Sequence, residues 1–182
     1  MTKIHYKSAF QYLDMFDVDE WIDECENLIG SVIFSKNEGI TSKIIGFFEK
    51  LKCPKKDFIP THVSSIVKEG NEIYILDIKP FKAKKKPLLD YLLFTSDDYV
   101  LVIRDFALDT KRFSKEILKY ESKIYPFLSA IRSIGSKKQS KKAHCSEAHL
   151  KALQKQGLFL NVNPEITPDE LWHLLNENKT NK

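Results

Sequence analysis

Cys145 lies in the run Ala143-His144-Cys145-Ser146-Glu147, where a helical pattern begins. The thiolate of cysteine is a strong nucleophile, but a free thiol is mostly protonated at neutral pH. Two features favour the thiolate here. A helix N-terminus stabilises negative charge, and Lys137, Lys138, Lys141 and Lys142 lie just upstream. A neighbouring imidazole would activate such a cysteine, and a carboxylate on its far side would fix the imidazole tautomer. Backbone N–H groups at Cys145 and Ser146 would meet the charge developing on a carbonyl oxygen.

The imidazole and carboxylate are offered by the stretch from Thr61 to Asp77. Two β-branched runs flank Lys68-Glu69-Gly70-Asn71, which is a hairpin signal. The expected register sets Val67 opposite Glu72 and therefore His62 opposite Asp77, on one face of an antiparallel pair. The rival bases are His144 and His149, the latter one helical turn beyond Cys145. Each residue also has a plainer reading. A strand histidine opposite an aspartate is often a structural hydrogen bond. A lone cysteine is often a small buried hydrophobe, which suits Cys25, inside an amphipathic helix, and Cys53, before Pro54. A metal site would have only Cys145 and His149 and no Cys-x-x-Cys partner, so no metal or cofactor is expected. Neither a Gly-rich phosphate loop nor a G-x-S-x-G elbow occurs.

The elements that must position these residues are legible from pattern. With 182 residues, 42% of them hydrophobic and 30% charged, the chain is expected to form a single domain over 1–182 without disulfide or metal staples. Glycine numbers only 6, which disfavours turn-rich all-β folds. Residues 1–29 read as an N-terminal helical segment: Asp17 and Glu20 make a capping box, and Gly30 stops the helix. Ser31–Phe34 reads as a strand and residues 39–51 as a helix or lid. A lysine-rich loop follows the hairpin. Pro87 then opens a short helix to Phe94, Tyr99–Arg104 is a strand, and Thr110–Ile124 is a helix. Residues 127–135 suggest another short helix. The helix from Cys145 ends near Gln156, with Gly157 as its stop. Thr167-Pro168-Asp169-Glu170 caps a last helix, and 176–182 form a frayed tail. The N-terminus lacks the apolar run of a signal peptide and no run is long enough to span a membrane, so a cytoplasmic location and reduced thiols are expected.

These motifs, in this order, resemble the circularly permuted NlpC-type papain-like proteins, often called YaeF/YiiX-like. The resemblance is carried by Gly30-Ser31-Val32-Ile33-Phe34, Thr61-His62-Val63, the acidic close of Tyr74-Ile75-Leu76-Asp77, Val102-Ile103-Arg104, Cys145-Ser146-Glu147 and Ile166-Thr167-Pro168-Asp169. It spans about residues 28–175. It departs at Ser64, where the family often has Gly, and at Asp77-Ile78, where Glu before Ala is common. What it implies is an α+β permuted papain-like fold, with a small antiparallel sheet or half-barrel packed against the nucleophile helix. It also implies a cysteine peptidase or amidase-like hydrolase, or an acyltransferase. Its triad would be Cys145, His62 and Asp77, with Ser146, Ser64 and His144 lining the site. The expected substrate is a small molecule, peptide or lipid. Lys137, Lys138, Lys141 and Lys142 would bind anions, including an anionic membrane surface. Specific nucleic-acid binding is not expected, because the net charge is only +4 and no basic–aromatic stacking motif occurs. The rival class is a non-catalytic binding module of the same fold that uses its basic loops.

Overall fold

The computed structural model describes residues 2–5, 26–36, 60–79, 82–94, 98–121 and 145–177. Its architecture is α+β, an open antiparallel sheet packed against helices. The strands are β1 (Thr2–His5), β2 (Val32–Lys36), β3 (His62–Glu69), β4 (Glu72–Lys79), β5 (Lys82–Pro87) and β6 (Asp98–Ile103). They lie in the order β1-β6-β2-β3-β4-β5, and each pairing is antiparallel. The helices among the described residues are α1 (Leu88–Phe94), α2 (Thr110–Leu118), α3 (Cys145–Gln154) and α4 (Pro168–Glu177).

The strands of the sheet centre are rich in Val and Ile, and their alternation builds two cores. Val32, Phe34, Val63, Val67, Leu76, Ile78, Val100 and Val102 face α2, α3 and α4. Ile33, Ile66, Ile75, Tyr99 and Leu101 face the other way, where Leu28 and the α1 residues Leu88 and Tyr91 cover them. Burial on both faces explains the near-continuous apolar runs of β2 and β6. Gly30, at φ +84°, turns the chain into β2. A Cβ there would displace the end of the Leu108 side chain, and the positive φ itself favours glycine.

Helix ends follow the cap chemistry. The Thr167 hydroxyl accepts from the Glu170 N–H at 3.2 Å and the Glu170 carboxylate accepts from the Thr167 N–H at 2.7 Å, a complete capping box. Asp109 caps α2 by accepting from the Arg112 N–H at 2.9 Å. Gly157, at φ +84°, follows α3 as expected.

The expected lysine-rich loop after the hairpin is instead strand β5. An edge strand pairs on one side only, and lysine and proline suit such a position. Pro87 closes this strand and α1 starts at the next residue. β1 was not anticipated. α2 ends at Leu118, short of the expected Ile124, and Tyr120 and Glu121 continue as turn. Residues 26–28 form the end of the expected N-terminal helix. The rest of that helix, the 39–51 and 127–135 segments, Cys25, Cys53 and the tail beyond 177 lie outside the described residues. Among the described residues no helix is long and apolar enough to cross a membrane.

Candidate functional site

The hairpin β3–β4 positions the imidazole and carboxylate. Its two-residue loop is Gly70-Asn71, with Gly70 at φ +61°. A positive φ at the first loop position alone is the type II′ pattern, which matches strand twist. The register it fixes differs from the expected one by two residues. Glu69 pairs Glu72 and Ser64 pairs Asp77, so Asp77 sits diagonal to His62, not opposite it. A two-residue slip conserves facing, because side chains alternate with period two. The diagonal is bridged by the length of the imidazole: His62 Nε2–H donates to Asp77 Oδ1 at 2.6 Å. Both side chains are almost wholly shielded from solvent, His62 at 4% and Asp77 at 2% exposure.

With Nε2 engaged by Asp77, Nδ1 is the ring nitrogen left for another partner. Cys145, the first residue of α3, is a free, half-buried thiol close enough to the ring to act on its protonation. By alternation the ring lies on the Ile66 side of the sheet, whereas Cys145 packs against the cluster on the Val63 side. The two meet where β3 begins, since His62 is its first residue. Burial on its own would lower the pKa of His62. The hydrogen bonds to Asp77 and to Cys145, with the negative charge they offer, outweigh it and push the pKa up to about 10. The pair thus biases the ring toward its charged form.

α3 is held at both ends. At its start the Ser146 hydroxyl donates to the Ile166 carbonyl. At its end Gln154 Nε2 donates to the carbonyls of Phe159 (3.1 Å) and Val162 (2.6 Å). Gln156 exchanges two hydrogen bonds with the Asp109 backbone, tying the end of α3 to the start of α2. Glu147 is buried in the first turn and paired with Lys151.

The other site residues expected from sequence are distributed as follows. Ser64 is fully buried directly opposite Asp77, and its hydroxyl has no partner among the described residues. Ser35, the pairing partner of His62, is in the same condition. Ser146 faces Ile166, so its hydroxyl is committed away from the site. His149 is not brought to His62. It is fully buried, joined to the Ser65 hydroxyl through Nδ1 at 2.9 Å and set edge-on to Phe113. Burial drives its pKa down to about 3. His144, Lys137, Lys138, Lys141 and Lys142 lie outside the described residues. No cluster of three or more metal-ligating side chains occurs among the described residues.

Sequence reasoning missed Ser35, which has no motif of its own and acquires its place only through the β2–β3 register. It also missed that Lys84 stands opposite Asp77. No alternation in 82–86 marks it, since only Ala83 interrupts the lysines. No protein-family model matches the chain, and no curated protein matches it.

Proposed function

We propose that the chain is a cysteine-dependent hydrolase or acyltransferase acting on an amide, ester or thioester, on a permuted papain-like variant of its α+β fold. The observation that carries this reading is the buried 2.6 Å His62–Asp77 pair with the Cys145 thiol beside the same ring. Cys145 as thiolate attacks the carbonyl carbon, forming the C–S bond while the carbonyl electrons move to oxygen. The N–H groups of the first turn of α3, which have no intrahelical acceptor, receive that oxyanion. The imidazolium of His62 gives its proton to the leaving nitrogen, oxygen or sulfur as that bond breaks. Water or an acceptor alcohol or amine then attacks the thioester, His62 takes the proton released, and the C–S bond breaks to regenerate the thiolate. Asp77 orients the ring through Nε2 and balances its charge.

Iodoacetamide near pH 6.5, the ordinary histidine pKa, tests the assignment. Cys145 is expected to be alkylated before Cys25 and Cys53, and His62→Ala is expected to slow it. Faster reaction at Cys25 or Cys53 in the folded protein rejects Cys145 as nucleophile. Selective labelling without turnover of any acyl or peptidyl substrate favours a binding module.

A further inference from the structure

The sheet face that His62 and Asp77 share carries a buried polar patch. In the β2–β3 register Ser35 stands opposite His62, and in the β3–β4 register Ser64 stands opposite Asp77. The line from Ser35 to Ser64 therefore crosses one strand step and two residues, as the line from His62 to Asp77 does. The two diagonals are parallel and adjacent, with Ser35 beside the ring and Ser64 beside the carboxylate. Ile33, Ile66 and Ile75 border the patch on the same face and are wholly buried. Ser35 and Ser64 are both 0% exposed, and neither hydroxyl has a partner among the described residues. A buried hydroxyl left unpaired costs the full desolvation of the group. Packing does not account for two of them, since alanine fills nearly the same space without that cost.

We propose that Ser35 and Ser64 are positioning residues that hold one buried water against the His62–Asp77 pair. This rests on the cysteine-hydrolase reading and adds two residues to its machinery. Diagonal Cβ atoms on neighbouring strands lie about 7 Å apart. Two inward-reaching hydroxyls and one water, with hydrogen bonds of ~2.8 Å, close that distance. The water accepts from both hydroxyls and donates to the Asp77 carboxylate, which makes about three bonds, the usual number for a buried water. A carboxylate accepts at about four lone-pair sites, so this bond adds to the one from His62 and fixes the carboxylate plane from a second direction. The ring follows the carboxylate, because its Nε2–H is bound there at 2.6 Å. The patch is buried, so the hydroxyls act on the reaction only through the pair.

The test compares Ser35→Ala, Ser64→Ala and the double variant with Ser114→Ala. Ser114, on α2, is also buried, but its hydroxyl accepts from the Lys68 N–H at 2.9 Å, so it reports the loss of a hydroxyl that serves the fold alone. Urea unfolding is the first readout. Each single change beside the pair is expected to lower the folded-to-unfolded ratio about fivefold, the worth of one ordinary hydrogen bond. The double variant loses less than the product of the singles, because the first change already frees the water. Unchanged or raised stability in the single variants overturns the water site. The second readout is the pH midpoint for iodoacetamide labelling of Cys145. With the ring held less well against its carboxylate, the midpoint is expected to rise by about 0.5 pH unit in both single variants, roughly threefold in the proton-dissociation constant. In Ser114→Ala it stays put. A midpoint unmoved in Ser35→Ala and Ser64→Ala, while His62→Ala moves it, overturns the positioning role and leaves the hydrolase reading standing. If His62→Ala leaves both midpoint and rate unchanged, the hydrolase reading falls and the positioning role with it. A crystal structure of the parent that shows a water within hydrogen-bond reach of both hydroxyls and Asp77 supports the site, and one in which ordered water is visible elsewhere but not there overturns it.

Discussion

The two faces of the sheet each bury a histidine, and the two rings behave oppositely. His62 is 4% exposed and His149 0%, so both lose nearly the same hydration. His62 has a carboxylate on one ring nitrogen and a sulfur close by, and its pKa rises to about 10. His149 has only the Ser65 hydroxyl and the edge of Phe113, and its pKa falls to about 3. Burial sets the cost of a charge, and the partner decides whether the charge is carried. Depth alone therefore does not decide whether a buried imidazole carries a charge. The comparison also disposes of His149 as a rival base: a ring neutral down to about pH 3 has little affinity for a proton at neutral pH.

The comparison breaks most severely at Asp77. Asp77→Asn keeps the shape and removes the charge that holds the His62 proton. Activity is expected to fall by roughly 10⁴-fold, the scale for a carboxylate orienter in a serine protease. The His62 ring should then titrate well below 10, in the direction of His149, as followed by imidazole NMR shifts. A rate within tenfold of the parent means the pair is structural and the enzyme reading is misplaced.

Stability against pH separates the two rings by sign. The folded pKa of His62 is raised, so its contribution is fully present below the unfolded value of about 6.5 and is lost as pH rises toward 10. The folded pKa of His149 is depressed, so the fold binds this proton less well than the unfolded chain does. Its contribution is present above about 6.5 and is lost as pH falls toward 3. Each limb is expected to be worth a few kcal/mol, from shifts of roughly three units at ~1.4 kcal/mol each. Urea midpoints across pH in His62→Gln and His149→Gln check this: the first flattens the alkaline limb alone and the second the acid limb alone. A single variant that flattens both limbs contradicts independent environments.

Ser65→Ala gives the smallest effect and sharpens the contrast. It removes the partner of Nδ1 and leaves both ring nitrogens of His149 unsatisfied. Destabilisation of about 1–3 kcal/mol is expected, with labelling of Cys145 unchanged within about twofold. A large loss of labelling would instead tie His149 to the reaction through α3.

Much of this arrangement was legible in the sequence, because its signals are local. Gly70-Asn71 between β-branched runs announced the hairpin, and the Thr167–Glu170 spacing announced the cap. The pairing of His62 with Asp77 was legible despite a wrong register, since a two-residue slip leaves side chains on the same face. What escaped depends on distant partners. Lys82–Pro87 looks like a loop, because an edge strand needs no apolar alternation. The Ser65–His149 bond joins residues 84 positions apart, and nothing near either of them marks it. The bond of the Ser146 hydroxyl to the Ile166 carbonyl, 20 residues away, is likewise unmarked in the sequence.

Strand order has a kinetic consequence. The His62–Asp77 contact spans only 15 residues within a single hairpin, so its loop closes at small entropic cost. β2 and β6, by contrast, are neighbours in the sheet although β3, β4, β5 and α1 intervene in the chain, and α3 comes later still. Low-contact-order parts form readily and long-range pairings form slowly. During refolding the imidazole–carboxylate pair is thus available before the thiol is docked. Its charges stay hydrated until α3 closes over β3, and Cys145 reaches the ring only with that docking event, after most of the secondary structure is in place.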